Sequence, residues 1–428
     1  MPRFLYSAFF YLIVPLVLLR LLWRGRLAPA YRRRIAERFG FFEAPAQKNG
    51  LWVHAVSVGE SIAAAPIIEH FLVAHPNLPV VVTTMTPTGS ERVKAMFGDR
   101  VFHVYAPYDL PDAVERFLKR VRPSVAVIME TEIWPNMVCQ AAAKGIPVIL
   151  ANARLSVRSA RGYSRLSALT QSVFAQFSQV VAQSADDGAR FVSLGVAAEN
   201  MTVSGSIKFD LAISRSLRDQ ASTLREQWLE SRPVWIAAST HAGEDEILLA
   251  AHHSLLLQEP NAILLLVPRH PERFTKVAEL IAANDFNFQR RSDYQDGVCA
   301  ANTQVILGDT MGELLLLLGC ADIAFVGGSL IEHGGHNTLE PAAWGLPVLS
   351  GPSDFNFAEI SALLEAAGGL VKVTDRDALA TTLQLLFASE DRAQQQGAAA
   401  KQVVDNNRGA LQRLLAVIKQ ALLERKAV

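Results

Sequence analysis

Candidate catalytic carboxylates stand directly after strand-like apolar runs in the first half of the chain. Glu60 closes the segment HAVSVGE, which begins inside the run 51–56, and a helix is predicted to open near Ser61. A helix N-terminus favours the ionised form of a carboxylate, and a carboxylate placed there can accept a proton from an attacking hydroxyl. Glu60 is therefore a candidate general base, with an ordinary first-turn glutamate as the alternative.

Further polar groups follow the neighbouring runs. The segment METEIWPN places Glu130 and Glu132 after the run 125–129, where they can position a hydroxyl, hold a basic group or cap the next helix. Arg154 adds a cation at the same predicted sheet edge. Lys208, in GSIKFD, can neutralise an anionic substrate, with a solvated linker lysine as the alternative.

The second half of the chain carries segments suited to an anionic ligand. Arg269 follows a strand-like run in the segment PRHP, and a guanidinium recognises phosphate or carboxylate well. The segment 308–313 (GDTMGE) offers backbone N–H groups to a phosphate or a base edge. The sequence therefore predicts a nucleotide-like ligand at this second sheet edge.

A glycine-rich loop is the third of the segments suited to an anionic ligand. In the segment GGSLIEHGGHNTLEP the glycines allow close backbone approach to a ligand. Asn337 or Thr338 can cap the helix that opens there, and Glu340 can bind ribose hydroxyls. His333 and His336 are two possible metal ligands, but a metal site needs more, so we expect no metal.

The elements that must position these groups are two consecutive series of strand-like runs separated by helical stretches. Such apolar runs predict parallel sheets covered on both faces, hence an α/β protein with two Rossmann-like domains. Ligands of such sheets bind beyond the carboxyl ends of the strands, and the cleft between the domains is the default active site. The runs are 51–56, 80–85, 101–106, 125–129, 147–151 and 179–183, and then 234–238, 262–267, 304–307, 323–327, 346–349 and 369–373.

The N-terminal segment predicts a membrane anchor. Residues 4–23 are almost entirely apolar and long enough to span a hydrocarbon core. The residues up to 40 carry eight arginines and one glutamate, mostly after the apolar run, which favours a cytoplasmic body. A cleaved signal peptide, a buried core helix and a helix lying in the membrane plane are the alternatives.

The composition and motifs of the chain argue against several classes of protein. Formal net charge is zero, which argues against a general nucleic-acid binder. The three cysteines lack CxxC spacing, so neither a zinc knuckle nor a disulfide framework is indicated. No G-x-G-x-x-G follows the first strand, which argues against an NAD-linked enzyme.

Taken together, five segments resemble the Kdo (3-deoxy-D-manno-octulosonic acid) transferases of lipopolysaccharide assembly. The segments are HAVSVGE, ETEIWPN, GSIKFD, PRHPER and GGSLIEHGGHNTLEP, and the resemblance covers nearly the whole chain. It implies a GT-B fold with an anchor at 1–25, an acceptor-binding domain at 26–210 and a CMP-sugar-binding domain at 211–428. The final helix is expected to pack back toward the first of these domains.

The resemblance also implies an activity. We expect an inverting glycosyltransferase that moves Kdo from CMP-Kdo to the lipid A precursor (lipid IVA) at the cytoplasmic face of the inner membrane, without cofactor or nucleic acid. Glu60 would be the general base, with Glu130 and Lys208 supporting the transition state. The residues implied to contact CMP are Pro268, Arg269, Asp309, Thr310, Met311, Gly335, His336, Asn337, Thr338 and Glu340.

Two rival hypotheses remain open at this stage. Another GT-B-like nucleotide-sugar enzyme, such as an epimerase, would act without a lipid acceptor, and the N-terminal anchor argues against it. A non-catalytic membrane scaffold with a vestigial nucleotide site would bind CMP weakly and transfer nothing.

Overall fold

A computed structural model describes residues 2–293 and 299–426 of the chain. They form two compact units with separate cores. The first unit runs to Lys208 and resumes at Arg408, and the second comprises Phe209–Asn407.

The first unit is built on a sheet of seven parallel strands in the order β3-β2-β1-β4-β5-β6-β7. Alternate side chains of β1 enter cores on opposite faces, Trp52 on one side and Leu51 and Val53 on the other. The carboxyl ends of β1, β4 and β5 are neighbours, so their loops share one edge. The strands are β1 (Leu51–His54), β2 (Val80–Thr84), β3 (Phe102–Tyr105), β4 (Val125–Met129), β5 (Val148–Ala153), β6 (Gln179–Ala182) and β7 (Met201–Val203).

Helices cover both faces of this sheet. Pro87, Pro111 and Pro135 begin three of them, because the fixed φ of proline suits the first helical turn. The helices are α1 (Pro2–Leu27), α2 (Val58–Ala74), α3 (Pro87–Phe97), α4 (Pro111–Val121), α5 (Pro135–Ala143), α6 (Val157–Ser164), α7 (Ser167–Phe174) and α8 (Ala185–Ser193).

The second unit repeats this plan with seven parallel strands in the order β10-β11-β9-β8-β12-β13-β14. Along β8, Trp235 and Ala237 enter one core while Ile236 enters another, as alternation in a covered sheet requires. The strands are β8 (Val234–Thr240), β9 (Ile263–Pro268), β10 (Phe288–Arg290), β11 (Val305–Leu307), β12 (Ile323–Val326), β13 (Val348–Ser350) and β14 (Leu370–Lys372).

The helices of the second unit lie on both faces of its sheet, and one further helix returns to the first unit. In that last helix Ala410, Leu414 and Ile418 are buried in the core beneath α2 and β4. The helices are α9 (Arg215–Leu224), α10 (Asp245–Leu256), α11 (Phe274–Ala283), α12 (Leu314–Leu318), α13 (Leu339–Trp344), α14 (Ala358–Ala366), α15 (Arg376–Phe387), α16 (Glu390–Asn406) and α17 (Ala410–Lys426).

The predicted fold class is confirmed. Each of the twelve predicted runs overlaps a strand, and both sheets are entirely parallel. The strands β7 and β10 were not predicted. Each has only three residues and no fully buried one, so neither shows the apolar run by which a strand is recognised in sequence.

Candidate active site

Glu60 lies in the first turn of α2, at the carboxyl end of β1. Ser57 caps this helix, and its Oγ accepts a hydrogen bond from the Glu60 amide. The carboxylate turns back to the cap: Oε1 accepts from the Ser57 hydroxyl at 2.7 Å, and Oε2 accepts from the Val56 amide at 2.8 Å. This reciprocal arrangement is a variant of the capping box, and it fixes the direction of the Glu60 side chain.

The Glu60 carboxyl titrates near neutral pH. Burial, together with the weaker effect of the charges of Glu132 and Glu130, raises its pKa to about 7, although the hydrogen bonds from Ser57 and Val56 act to lower it. A base whose pKa lies near the operating pH combines a useful ionised fraction with useful basicity. The electrostatics of Glu60 thus suit proton abstraction.

Glu130 and Glu132 follow β4, the neighbour of β1. Glu130 has a φ of 54°, a left-handed conformation that is uncommon outside glycine, and its carboxylate pairs with Arg154 at 3.2 Å. Glu132 accepts a hydrogen bond from the Trp134 indole at 3.0 Å, and burial raises its pKa. The structure therefore brings Glu60 into an acidic group of three carboxylates at one sheet edge.

Lys208 is exposed in the short 3-10 turn Ile207–Phe209. This turn is attached to the end of β5, where the Asn152 side-chain oxygen accepts a hydrogen bond from the Ile207 amide at 3.2 Å. Asn152 itself has a φ of 50°. Lys208 thus belongs to a loop anchored at the same sheet edge as Glu130 and Arg154.

In the second unit, a buried carboxylate organises the loop that follows β12. Glu244 is fully buried, and it accepts hydrogen bonds from the amides of His241, Gly328, Ser329 and Leu330 at 2.7 to 3.0 Å. Each of these amides would otherwise be a buried donor without a partner, which is costly. Glu244 therefore holds the ends of β8 and β12 in a fixed relation.

Some polar side chains after β9 and β11 are exposed, whereas others are already hydrogen-bonded within the protein. Arg269 is exposed, and its charge acts on Glu340 and His336. The Asp309 carboxylate accepts from the Ser292 amide and hydroxyl at 2.9 and 2.8 Å, so it joins the loop after β11 to the segment after β10. Thr310 hydrogen-bonds Glu313, whereas Met311 is exposed.

The glycine-rich loop ends at α13, where Thr338 is the N-cap residue and the Asn337 side chain contacts the first turn. The Asn337 side-chain oxygen accepts from the Leu339 amide at 3.2 Å, and its amide group donates to Glu340 at 3.0 Å. Burial raises the pKa of Glu340. The Thr338 hydroxyl is buried and has no hydrogen-bond partner among the described residues.

The residues predicted to contact CMP lie at the carboxyl ends of three strands of one sheet. Pro268 ends β9 and Arg269 follows it, the segment 309–311 follows β11, and the segment 335–340 follows β12, with β8 between β9 and β12. Gly335 has a φ of 70° and its amide donates to the Gly328 carbonyl at 2.7 Å, a turn that favours glycine.

Two residues that shape the site, Glu244 and His54, were not predicted from the sequence. Glu244 lies only three residues after His241, in the acidic segment GEDE, which was the one available signal. His54 is buried within β1, hydrogen-bonded to Thr83 at 2.9 Å and edge-on to Trp134. Burial lowers its pKa to about 3, so it is a neutral support for the Trp134 loop.

Comparison with known proteins decides the family. The family described as 3-deoxy-D-manno-octulosonic-acid transferase (kdotransferase) matches residues 33–211, and that of the group 1 glycosyl transferases matches residues 235–403. A 3-deoxy-D-manno-octulosonic acid transferase of Haemophilus influenzae is 46% identical over 425 residues, 99% of each chain. The chain belongs to the Kdo transferase family. The resemblance of the five sequence segments is thereby confirmed, and the chain is a glycosyltransferase.

Two solved structures are also similar to this Kdo transferase. The C-terminal CMP-Kdo binding domain of WaaA from Acinetobacter baumannii is 36% identical, covering 45% of this chain and 99% of that domain, with a TM-score of 0.43. A UDP-GlcNAc 2-epimerase from Neisseria meningitidis, bound to UDP-GlcNAc, is 15% identical with a TM-score of 0.54. It covers 88% of this chain and 100% of that chain. The epimerase likeness concerns the fold alone.

The Kdo transferase also has one helix long and apolar enough to cross a membrane among the described residues, at Arg3–Arg26. Its exposed side chains include Leu5, Phe9, Leu12, Leu16, Leu19 and Trp23. These residues recur at alternating spacings of four and three, which places them along one stripe of the helix.

Proposed function

We propose that this Kdo transferase transfers Kdo from CMP-Kdo to the lipid A precursor, lipid IVA, with Glu60 as general base. The observation that carries the proposal is the buried Glu60 carboxylate, with a pKa raised to about 7, at the strand edge it shares with Glu130 and Glu132. An acceptor hydroxyl attacks the anomeric carbon of Kdo and passes its proton to Glu60. The bond from that carbon to the phosphate oxygen breaks, and CMP leaves with inversion of configuration.

The capping bonds of Glu60 are compatible with this role. A carboxylate oxygen carries two acceptor sites, so each oxygen of Glu60 keeps one after accepting from Ser57 or Val56. Glu130 and Lys208 are assigned to support of the transition state. Arg154, which pairs with Glu130 at 3.2 Å, fixes the direction of that carboxylate.

We assign the nucleotide to the second unit. The anionic donor suits Arg269, and the loop 335–338 supplies backbone amides. It also supplies the Thr338 hydroxyl, which has no hydrogen-bond partner within the described part of the chain. Glu340 takes the ribose hydroxyls as acceptor. The side chains of Asp309 and Thr310 are already hydrogen-bonded to Ser292 and Glu313, so we assign their contact with the nucleotide to their backbone groups. We assign the exposed Met311 side chain to packing on the base.

We place the enzyme at the cytoplasmic face of the inner membrane, with α1 as its anchor. Arginines concentrated after the apolar run support a cytoplasmic body. The side of α1 opposite its apolar stripe contacts the first unit: the Ser7 hydroxyl is hydrogen-bonded to Asn136, and the Tyr11 hydroxyl donates to Asp112. These contacts favour a helix that lies in the membrane plane over one that spans it.

The test is a transfer assay with mass spectrometry of the lipid. The detergent-solubilised chain is incubated with CMP-Kdo and lipid IVA, and we expect the lipid mass to rise by whole Kdo units with one CMP released per unit. Consumption of CMP-Kdo with no change in lipid mass would contradict the proposal, because it would indicate hydrolysis rather than transfer.

A further inference from the structure

Three histidines of the second unit converge on one point. His241 follows β8, whereas His333 and His336 lie in the loop between β12 and α13. One ring nitrogen from each lies within 4.8 Å of the other two. The Nε2 atoms of His241 and His336 are 2.7 Å apart, which is hydrogen-bonding distance.

The backbone holds these side chains in place before any ligand arrives. The His241 amide donates to Glu244 at 3.0 Å, and Glu244 also holds the β12 loop from which His333 and His336 extend. The His333 amide donates to the Ile331 carbonyl at 2.7 Å, and the His333 carbonyl accepts from the Asn356 side chain at 3.0 Å. Preorganised ligands lower the cost of ordering a site.

We propose that His241, His333 and His336 form a binding site for a divalent transition-metal ion of the zinc, copper or nickel class. Imidazole nitrogen suits these ions, whereas magnesium and calcium require oxygen ligands. Three protein ligands leave a fourth tetrahedral position open, and the exposed His333 gives access from solvent. The sequence offered only His333 and His336, and the structure supplies the third ligand.

The geometry requires a small adjustment on binding. Tetrahedral zinc at about 2.1 Å from each nitrogen separates its ligands by about 3.4 Å, so the two Nε2 atoms at 2.7 Å must move apart slightly. The charges of Arg269 and Arg273 act on His241 and disfavour a bare dication. An anionic ligand in the fourth position, such as chloride, offsets these charges.

The test measures metal binding directly, on the full chain without a polyhistidine tag and without donor or acceptor. Equilibrium dialysis against Zn²⁺ with elemental analysis should give one bound equivalent, and Co²⁺ in its place should give the visible absorption bands of a tetrahedral site. His241→Ala and His336→Ala should each weaken Zn²⁺ binding by at least about tenfold. The matched control His253→Ala, an exposed histidine of α10, should bind as the unaltered chain does.

Two results would overturn the proposal. One is the absence of a bound Zn²⁺ equivalent in the unaltered chain, and the other is full Zn²⁺ affinity in both His241→Ala and His336→Ala. Because these two side chains are partly buried, His333→Ala is the third variant; its side chain is exposed, and its loss should weaken Zn²⁺ binding without loss of the folded state. The assay involves no sugar transfer, so it stands or falls independently of the proposed activity.

Discussion

At the residue scale, the Glu60 carboxylate combines two roles that the sequence left as alternatives. It caps α2 through Ser57 and Val56, and it lies beside Glu130 and Glu132 with a pKa raised to about 7. Capping fixes its direction and burial raises its basicity. The capping role and the proposed catalytic role therefore support each other.

A pH profile follows from this pKa. Glu60 acts as a base only when ionised, so kcat/KM for transfer should be high above its pKa of about 7 and should fall as pH decreases through it. Steady-state assays at saturating lipid, between about pH 5.5 and pH 8.5, measure this limb. A rate that stays constant across this range would contradict the assignment.

The residues of the candidate site could be predicted where a reactive side chain directly follows a strand that is recognisable in the sequence. Glu60, Glu130 and Arg269 each follow a recognisable strand run, so their sheet-edge positions could be inferred. Glu244 could not be placed in the same way, since three of the amides it binds lie more than 80 positions later in the chain. The approach of His241 to His336 depends on the same long-range contact.

At the element scale, Glu244 determines whether the loop after β12 keeps its shape. In Glu244→Gln one carboxylate oxygen becomes an NH₂ group, which faces backbone donors instead of accepting from them. We expect the free energy of unfolding of the second unit to fall by about 3 kcal/mol, and KM for CMP-Kdo to rise. Urea unfolding monitored by hydrogen exchange, together with steady-state kinetics, measures both effects.

Glu246 provides the matched control for that variant. It lies two positions further on, in the first turn of α10, and its side chain is exposed. Glu246→Gln should leave unfolding and KM near their original values. Equal effects of the two substitutions would show that the amide contacts of Glu244 do not stabilise the loop.

The helix α1 is the element whose placement bears on the membrane. Phe10, Val14 and Val17 pack against a cluster that includes Tyr108 and Leu110. The apolar stripe through Phe9 and Leu16 faces away from these contacts and is exposed. A helix contacted by its own domain along much of its length suits insertion from one side of a bilayer.

Cysteine labelling distinguishes this arrangement from a spanning helix. In cells with a permeabilised outer membrane, a membrane-impermeant maleimide should not reach Arg3→Cys until the inner membrane is lysed. Lys48→Cys, an exposed site on the body, should behave identically. The native cysteines are buried and should remain unlabelled. Labelling of Arg3→Cys alone before lysis would establish a spanning helix.

At the scale of the whole molecule, the order of the elements along the chain does not match the core in which each element is buried. The helix α17 follows the second unit in sequence, yet Leu414 is fully buried in the core of the first. The pattern of apolar residues could indicate a helix there, but not which of two similar sheets it covers. That choice depends on surface complementarity, which periodicity does not encode.

A pair of core substitutions tests this arrangement. Leu414→Ala should cost about 2 to 5 kcal/mol and speed hydrogen exchange in peptides of α2, β4 and β5. Leu383→Ala, an equally buried leucine of the second unit, should speed exchange around α10 and α15 instead. If Leu414→Ala loosened only peptides of residues 209–407, the assignment of α17 to the first unit would be wrong.

The most direct test of the central claim is the transfer rate of Glu60→Gln against Glu69→Gln. Both substitutions remove one carboxylate from α2, but Glu69 is exposed and pairs only with Arg100 among the described residues. We expect Glu60→Gln to lower kcat for Kdo transfer by about 10² to 10⁴-fold while the chain stays folded, and Glu69→Gln to transfer at nearly the original rate. A folded Glu60→Gln variant that transfers Kdo as fast as Glu69→Gln would contradict the assignment of Glu60 as the base.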